Sequence, residues 1–387
     1  MRKICFVTGT RAEYGLMSRL MLMVKTSPAT HLQVIATNMH LSKRYGETYK
    51  EIEGDGIPID KKVPILNDEA EDNARATLAS MAMAMNGFSK AYEELMPDLI
   101  MVLGDRYEIL AAVTAALIER IPVAHIHGGE VTEGAYDDAI RHSITKMSHL
   151  HFTSTEEYRK RVIQLGESPE RVFNTGALGV ENIKKTPLMS KDEVEKSIGF
   201  TIDKNTILAT YHPVTLGIST AGRDISNFLE ALEEREDLRI IFTMPNSDTG
   251  GRVVAEAVEN FVKRNKSRAI AFKSLGMKRY LSVMGQVAAV VGNSSSGILE
   301  APSFGIPTLD IGDRQKGRAA ADSIFHCNTD KVSIVKGLET ILSSSFRKSA
   351  SITRNPYEKE GTAQTIFDII STLPLDGLLQ KHFYDIK

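Results

Sequence analysis

The sequence predicts an α/β protein made of two doubly wound, Rossmann-like domains that face each other across a cleft. Its 387 residues exceed what one ordinary hydrophobic core organises, so two domains are expected. Short, almost continuously apolar runs alternate with longer amphipathic segments, which is typical of parallel strands covered by helices on both faces. This alternation occurs in two similar series on either side of a charged segment at 181–205. We therefore predict a first domain at 1–180, a second at 181–365 and a tail at 366–387 that returns to the first domain.

The predicted strands follow one another in chain order, and each is a short apolar run that a turn or polar residue ends. In the first series they are KICFVTG, LQVIAT, DLIMVLG, PVAHIH, LHFTST and RVFNTG. In the second series they are TILATYH, LRIIFTM, AIAFKS, AAVVGN and PTLDIG. The segment YEKEGTAQTIFDIISTLP near the C-terminus predicts a helix that packs back on the first domain.

One predicted helix carries an apolar stripe at steps of three and four residues, formed by Leu78, Met81, Met85, Phe88, Tyr92 and Leu95. Such a stripe packs either in a core or against a second subunit, and Met83 adds an apolar group outside it. Both interpretations stay open at this point.

Composition argues against several kinds of partner. The 47 basic and 49 acidic residues leave a net charge of −2, whereas a nucleic-acid-binding domain is usually strongly positive. No apolar stretch approaches the length of a membrane span, and the apolar run after Lys3 ends too early for a signal peptide. Cys5 and Cys327 are too few for a disulfide framework or a structural zinc site. We predict a cytoplasmic protein that contacts neither nucleic acid nor membrane and uses no metal or cofactor.

Ligands of open parallel sheets bind beyond the carboxyl ends of the strands, so residues that follow a predicted strand are candidate site residues. After the first strand, TGTRAEYG lacks the glycines of a dinucleotide fingerprint and the lysine of a P-loop, but its turn presents Arg11, which is suited to grip phosphate. After DLIMVLG comes Asp105, whose carboxylate would be partly desolvated and could act as an acid or base. Asp105 could equally cap the helix that begins near Glu108.

The stretch HIHGGEVTEGAYDDAIRH gathers proton-transferring groups around a glycine turn. His125 and His127 alternate along a strand, where a metal pair is conceivable but packed or hydrogen-bonded histidines are the commoner outcome. Gly128 and Gly129 permit positive φ, and a sharp turn there would bring Glu130 back toward the cleft.

The same stretch continues into a predicted helix that Asp137 or Asp138 opens. Arg141 and His142 follow within one turn, so one aspartate is expected to pair inside the helix. The other aspartate can cap the helix or act on a ligand.

A serine-rich turn predicts a nucleotide site on the second domain. In VVGNSSSGILEAPSFG, a buried strand leads into three serines between Gly292 and Gly297 and then into a helix. Backbone N–H groups and hydroxyls at such a helix start can bind phosphate, although a serine cap without a ligand is an alternative. Glu300 lies one turn further on, where it can accept hydrogen bonds from ribose hydroxyls.

Other strand ends of the second domain add polar groups. His212 ends the strand TILATYH, and Asn246 follows the strand LRIIFTM. The segment IGDRQKGR supplies Arg314, Lys316 and Arg318, which can balance phosphate charge. Together these groups predict a nucleoside diphosphate bound on the second domain.

The chain resembles a known family, the hydrolysing UDP-N-acetylglucosamine 2-epimerases of sialic acid biosynthesis, in eight motifs over about positions 8–318. In order, these motifs are TGTRAEYG, VLGDRYE, HIHGGE, YDDAIRHSITK, YHPVT, PNSDTG, GNSSSG and GDRQKGR. The resemblance implies a GT-B-like fold, a homodimer, and conversion of UDP-GlcNAc and water into N-acetylmannosamine and UDP. A sister branch acts on UDP-2,4-diacetamido-2,4,6-trideoxyglucose, on the route to legionaminic acid.

Carried over motif by motif, the resemblance implies catalytic roles for Asp105, Asp137 and His212 and a phosphate-side role for Arg106. The implied UDP contacts are Arg11, Asn246, Ser294, Ser295, Glu300 and Arg314. One departure concerns the family pattern HIEGGE, because His127 stands here in place of its catalytic glutamate. The segment before Asp137 is also one residue longer. Either His127 or the nearby Glu130 is expected to take over the proton-transfer role of that glutamate.

The implied reaction removes and returns the proton on C2 of the sugar. When the C1–O bond to UDP lengthens, the developing positive charge acidifies C2–H, and a carboxylate becomes an adequate base. UDP leaves, 2-acetamidoglucal remains, and water adds at C1 while a proton reaches C2 from the opposite face. The alternatives are a GT-B glycosyltransferase, a non-hydrolysing epimerase that returns UDP-ManNAc, and a nucleotide-sugar sensor without turnover.

Overall fold

The computed structural model describes residues 1–69, 73–133, 135–214, 221–245 and 250–386, which divide into two compact units. Unit 1 comprises Met1–Glu130, Asp137–Asn182 and Tyr357–Lys387. Unit 2 comprises Val131–Tyr136 and Ile183–Pro356.

Thirteen strands are present in the described residues, and all their pairings are parallel. They are β1 (Arg2–Thr8), β2 (Thr30–Thr37), β3 (Lys61–Val63), β4 (Leu99–Leu103), β5 (Val123–Ile126), β6 (Leu150–Thr153), β7 (Val172–Asn174), β8 (Thr206–Thr210), β9 (Arg239–Thr243), β10 (Ala269–Phe272), β11 (Ala289–Gly292), β12 (Thr308–Ile311) and β13 (Ile324–Cys327). The sheet of unit 1 has the order β3-β2-β1-β4-β5-β6-β7, and the sheet of unit 2 has the order β10-β9-β8-β11-β12-β13.

Helices connect the strands. They are α1 (Arg11–Thr26), α2 (Tyr49–Gly54), α3 (Ala74–Leu95), α4 (Tyr107–Ile118), α5 (Asp137–Met147), α6 (Glu156–Gln164), α7 (Leu178–Lys185), α8 (Lys191–Ile198), α9 (Ala221–Glu233), α10 (Gly251–Arg264), α11 (Gly276–Met284), α12 (Ser295–Leu299), α13 (Lys331–Leu342), α14 (Ser344–Ala350) and α15 (Thr362–Thr372). Short 3-10 segments occur at Asn38–Leu41, Pro169–Arg171, Ala301–Phe304 and Asp313–Gln315. The predicted α/β fold with parallel sheets is confirmed.

Each sheet buries both of its faces, which explains the continuous apolar runs. In β1, Ile4 and Phe6 belong to one hydrophobic cluster, whereas Cys5 and Val7 belong to the cluster on the other face. The first cluster also contains Ile366 and Ile370 of α15. Successive side chains of a strand point to opposite faces, so a strand covered on both sides needs an apolar residue at every position.

The apolar stripe of α3 divides into two parts. Phe88 and Tyr92 lie fully in the core of unit 1, and the Tyr92 hydroxyl donates to the backbone carbonyl of Ala112 at 3.1 Å. Leu78 and Met85, which were predicted to share the same face, are exposed, as is Met83. The core interpretation therefore holds for the C-terminal half of the helix.

Two edge strands were missed by the sequence prediction. β3 consists of three residues, two of them lysines, and β13 has the sequence IFHC. Each lies at the outer edge of its sheet and pairs on one side only, so neither needs the long apolar run by which central strands are recognised. Across the described ranges, no helix is both long and apolar enough to cross a membrane.

Candidate active site

Asp105 follows β4 and contacts a buried arginine. The N-cap residue of α4 is Arg106 and makes no side-chain cap bond, so the alternative reading of Asp105 as a helix cap is not supported. Instead, the Asp105 carboxylate is hydrogen-bonded to the guanidinium of Arg141 on α5. Arg141 also donates to the Glu130 carbonyl at 2.9 Å and lies 3.3 Å from a carboxylate oxygen of Asp138. An arginine counter-ion favours an ionised carboxylate, which is the form that can accept a proton.

His127 directly follows β5 and has an unusual backbone conformation. Its φ is +68°, in the left-handed region that non-glycine residues rarely adopt, and its N–H donates to the Phe152 carbonyl at 2.9 Å. The imidazole Nδ1 lies 3.4 Å from Glu130 Oε1, and the Ser154 hydroxyl donates to that same oxygen at 2.9 Å. Non-glycine residues in such a conformation cluster at functional sites, where the surrounding structure holds them.

The glycine turn differs in detail from the prediction. Positive φ was expected at Gly128 and Gly129, but the structure has it at Gly129 (φ +79°) and His127. Gly128 is required for a different reason, because a Cβ there would lie 2.9 Å from the Thr145 hydroxyl. The turn places the Glu130 carboxylate beside the His127 imidazole, whereas the predicted position of Glu130 at a cleft stays a prediction.

His125 is a packed histidine. Its Nδ1 lies 3.1 Å from the Thr145 hydroxyl and its Nε2 lies 2.7 Å from the Gly104 carbonyl. Burial lowers the pKa of His125 to about 3 despite the bond to Gly104, so the ring is neutral at physiological pH. The described part of the chain contains no group of three or more potential metal ligands, and the metal-pair interpretation with His127 has no support.

Helix α5 begins at Asp137, as one of the two alternatives predicted. Asp138 is the aspartate that pairs inside the helix, with Arg141 at 3.3 Å and with His142 Nε2 at 3.5 Å. Asp137 is buried in the first turn.

Two buried glutamates that the sequence analysis did not select lie beneath the turn that presents Arg11. Thr10 caps α1, and Glu13 Oε2 accepts from the N–H groups of Gly9 at 2.7 Å and Thr10 at 3.3 Å. Glu108 accepts from Arg106 Nε at 2.7 Å. Burial, followed by the negative charge of Glu108, raises the pKa of Glu13 to about 8. Glu13 is therefore expected to be protonated at neutral pH.

In unit 2, His212 and the serine turn meet at Asn293. The His212 N–H donates to Asn293 Oδ1 at 2.7 Å, and Asn293 Nδ2 donates to the His212 carbonyl at 2.8 Å. Ser294 caps α12, whose first residue is Ser295. Gly292 has φ +133°, and a Cβ there would lie 1.8 Å from the Thr210 carbonyl oxygen, so only glycine fits before this turn.

The remaining groups of the predicted nucleotide site lie after α12 and β12. Helix α12 spans five residues, of which the first two are serines, and continues as a 3-10 segment, with Glu300 buried at the junction. Arg314 Nη1 donates to the Asn293 carbonyl at 3.1 Å. Arg318, which the sequence analysis predicted to balance phosphate charge, donates to the Val131 carbonyl at 2.8 Å, and this contact within the protein was not predicted. Asn246 belongs to the segment 246–249, which lies outside the described residues.

The structure thus brings together Asp105, Arg141 and Glu130, and pairs Glu130 with His127, at the carboxyl edge of the first sheet. In the second sheet it joins His212, the turn before Ser294, and Arg314. Arg141 and Asn293 were missed as site residues, because their partners are distant in sequence. Two α/β units, each built on a doubly wound parallel sheet with polar groups beyond its strand ends, agree with the predicted class of GT-B-like proteins.

Comparison with known proteins agrees with this class. The family model described as UDP-N-acetylglucosamine 2-epimerase matches residues 23–371, and the chain belongs to this family. It is 41% identical over 386 residues to the GDP/UDP-N,N′-diacetylbacillosamine 2-epimerase (hydrolyzing) of Campylobacter jejuni, covering 100% of this chain and 99% of the relative. It is 40% identical over 392 residues to the polysialic acid biosynthesis protein P7 of Escherichia coli, covering 100% and 98%.

Among solved structures, the fold is similar to that of UDP-GlcNAc 2-epimerase from Neisseria meningitidis bound to UDP-GlcNAc. The TM-score is 0.79 at 19% sequence identity, with 95% of this chain and 99% of that chain covered. The resemblance inferred from the motifs is therefore confirmed at the level of family and fold.

Proposed function

We propose that this protein is a hydrolysing 2-epimerase that converts a UDP-linked 2-acetamido sugar and water into the free 2-epimeric sugar and UDP. The observation that carries the proposal is the group at the carboxyl edge of the first sheet. There, Asp105 is bound by Arg141, and His127 is paired with Glu130. A base and a second proton-transferring group are what an elimination followed by hydration requires.

Proton transfer is assigned to unit 1. The Asp105 carboxylate removes the C2 proton as the C1–O bond breaks and the electron pair leaves with UDP, which forms the C1–C2 double bond of 2-acetamidoglucal. Water then adds its hydroxyl at C1 while C2 receives a proton on the opposite face. His127 transfers one of these protons. The buried Glu130 orients the His127 imidazole, in the same way that a carboxylate orients a catalytic histidine and stabilises its imidazolium form. Asp137 supplies the further proton-transferring carboxylate.

Nucleotide binding is assigned to groups that can neutralise or hydrogen-bond a diphosphate and ribose. A guanidinium matches phosphate in charge and geometry. Serine hydroxyls can donate to phosphate oxygens, and a glutamate can accept from ribose hydroxyls. The assigned residues are Arg11, Arg106, His212, Asn246, Ser294, Ser295, Glu300 and Arg314.

The finer proposal concerns the sugar, which we take to be 2,4-diacetamido-2,4,6-trideoxyglucose. The support is that the Campylobacter jejuni relative, aligned over the whole chain, is named for N,N′-diacetylbacillosamine. UDP-GlcNAc, with N-acetylmannosamine as the product for sialic acid synthesis, is the second candidate. It is favoured by the family description and by the relative named for polysialic acid biosynthesis.

The test incubates the protein with UDP-2,4-diacetamido-2,4,6-trideoxyglucose, its GDP-linked counterpart and UDP-GlcNAc in separate reactions in D₂O. Free sugar and nucleotide are quantified, and NMR determines the isotope at C2. We expect free 2-epimer with deuterium at C2, highest kcat/KM for the UDP-diacetamido sugar, and no product from Asp105→Asn. Retention of the original C2 proton would exclude elimination.

The same reactions separate the rival functions. A glycosyltransferase would release little free sugar without an acceptor, a non-hydrolysing epimerase would return a UDP-linked epimer, and a sensor would bind without product. Free 2-epimer and UDP in equal amounts are expected here. Higher kcat/KM for UDP-GlcNAc would replace the finer proposal with the second candidate.

We also propose that the protein is a homodimer in which the exposed apolar side chains of α3 are covered. Leu78, Met83 and Met85 project from this helix with exposed fractions of 66%, 52% and 41%, which is unusual for large apolar groups on one helix. Light scattering should report twice the chain mass, and Met83→Glu should shift it toward the monomer. Wild-type protein that is monomeric at micromolar concentration would contradict this proposal.

A further inference from the structure

Asn293 is a buried residue that uses every one of its polar groups. It follows β11 directly, and 1% of its surface is exposed. Its backbone N–H donates to the Thr210 carbonyl at 3.1 Å. Its side-chain amide accepts from the His212 N–H and donates to the His212 carbonyl. Its own carbonyl accepts from Arg314 at 3.1 Å and from Gln315 Nε2 at 2.8 Å.

These bonds join three loops that leave neighbouring strands. β8, β11 and β12 lie side by side, and the ladder pairs Gly292 with both Thr210 and Asp310. The bonds of Asn293 continue this pairing one residue beyond the ladder, where regular strand geometry has ended. Each of the three loops carries a residue assigned to the nucleotide: His212, Ser294 and Arg314.

We propose that Asn293 is a positioning residue that holds His212, the serine turn and Arg314 in fixed relation to one another for the nucleotide-sugar. The assignment of those three groups to the nucleotide rests on the proposed function. The chemistry requires asparagine, because only a side-chain amide offers a donor and an acceptor in one plane to pair with both groups of a peptide unit. Aspartate has the same shape but would place a carboxylate oxygen against the His212 carbonyl.

The arrangement acts on two partners in different ways. The paired amide holds the backbone of His212 at both its N–H and its C=O, so the direction in which the imidazole leaves the chain is set by Asn293. The carbonyl of Asn293 holds the Arg314 guanidinium through one nitrogen. The remaining guanidinium N–H groups then keep a defined orientation in which they can meet an anion.

The test measures UDP affinity by calorimetry and steady-state kinetics for Asn293→Asp, with Asn265→Asp as the matched control. Asn265 also donates to a backbone carbonyl, that of Phe261 at 3.1 Å, and accepts from Arg268 at 3.0 Å, but it precedes β10 at the amino edge of the same sheet. We expect the Kd for UDP to rise at least about tenfold in Asn293→Asp, with kcat reduced, as for loss of a buried hydrogen bond and a new repulsion. The control should retain wild-type values.

A double-mutant cycle with Arg314→Ala separates positioning from a loss of folded protein. If Asn293 acts through Arg314, Asn293→Asp should weaken UDP binding much less in the Arg314→Ala background than in wild type. Effects that simply multiply, or an unchanged Kd in the single variant, would overturn the proposal. If Asn293→Asp shows no cooperative unfolding, Gln315→Met decides in its place. Gln315→Met removes one hydrogen bond to the Asn293 carbonyl, so its Kd for UDP should be at least about threefold above that of the wild type. An unchanged Kd in Gln315→Met would overturn the proposal.

The outcomes also distinguish this proposal from the proposed function. Wild-type protein that binds UDP but hydrolyses none of the sugar nucleotides would refute the 2-epimerase activity and leave the UDP cycle decisive for Asn293. Wild-type protein that hydrolyses a sugar nucleotide, with Asn293→Asp unchanged in Kd and kcat, would refute the positioning role alone. Failure of the wild type to bind UDP would overturn both.

Discussion

Replacing Glu13 by glutamine should leave the protein close to wild-type stability at pH 5 and make it more stable than wild type at pH 9. The Glu13 carboxyl accepts two backbone N–H groups at the start of α1, while its second oxygen is buried without a hydrogen-bond partner among the described residues. Glutamine keeps an acceptor for the N–H groups and places an uncharged amide where the second oxygen lies. It therefore resembles the protonated glutamic acid.

The magnitude follows from the pKa of Glu13. Burial, followed by the charge of Glu108, raises this pKa from 4.5 to about 8, so the folded protein holds a proton that the unfolded chain releases in that interval. The stability due to the protonated carboxyl is complete below pH 4.5 and is lost as the pH rises through 8. At about 1.4 kcal/mol per pH unit, the interval corresponds to a ceiling of about 5 kcal/mol. Relaxation of the protein and entry of water ease the ionisation of a buried group. We therefore expect the unfolding free energy of the wild type to fall by about 2–5 kcal/mol as the pH rises from 4.5 through 8.

The assay is urea unfolding followed by circular dichroism at pH 5, 7 and 9, with hydrogen exchange of β1 amides to assign the transition to unit 1. The control is Glu193→Gln, in which the same capping arrangement with Ser190 is exposed at the start of α8. Bonds from the Ser190 N–H and hydroxyl lower the pKa of Glu193, so its contribution is present above its ordinary pKa and is lost as the pH falls. Glu193→Gln should therefore gain nothing at pH 9. If the curves of Glu13→Gln and wild type run parallel from pH 5 to 9, the reasoning is wrong.

Six further substitutions test the site and the C-terminal segment. Asp105→Asn keeps the shape of the side chain but cannot accept a proton, so kcat should fall at least about 100-fold while the Kd for UDP stays within a few-fold; a normal kcat would remove Asp105 from the chemistry. Arg314→Ala should weaken UDP binding by about 1–3 kcal/mol in calorimetry, and an unchanged affinity would move this arginine out of the site. His127→Ala should lower kcat by about 10²–10⁴-fold, and Glu130→Gln should lower kcat less. His127→Glu should keep most of its kcat but shift the pH profile of kcat. A larger loss of kcat in Glu130→Gln than in His127→Ala would assign the proton transfer to Glu130. Lys381→Met should destabilise the protein by about 1.5–3 kcal/mol in thermal unfolding, because the buried Glu167 loses its ion pair with Lys381 at 2.6 Å but keeps Lys146 at 2.8 Å; wild-type stability would show that the contact with Lys381 is dispensable.

The central strands could be predicted because burial on both faces leaves a direct mark on the sequence. β4 is apolar throughout and β1 contains the buried apolar run ICFV, while three of the four residues of β5 are apolar; the residues that follow such strands become site candidates by topology alone. Asp105 and His127 were selected as candidates in this way. The three-residue edge strand β3 lacks a continuous apolar run, because it pairs with β2 on one side only and does not need to be buried at every position.

Residues whose role depends on a distant partner could not be predicted. Arg141 reaches Asp105 across 36 positions, and Asn293 pairs with His212 across 81. In sequence, Arg141 reads as an ordinary helix residue that pairs with Asp138, and Asn293 reads as part of a serine-rich turn. The positive φ of His127 also depends on its surroundings, because non-glycine residues adopt that conformation only uncommonly and the sequence does not show the bond from its N–H to Phe152.

The arrangement of the chain has a consequence for its biosynthesis. Most of unit 1 precedes unit 2 in the chain, yet α15, which supplies the buried Ile366 and Ile370 to the core of unit 1, is translated only after the whole of unit 2. Unit 2 consists almost entirely of one continuous stretch and can complete its core earlier, although most of unit 1 is translated first. A chain that terminates prematurely anywhere before α15 therefore displays an uncovered apolar sheet face, which chaperones and proteases recognise. Helix α15 thus makes translation past unit 2 a condition for escaping quality control.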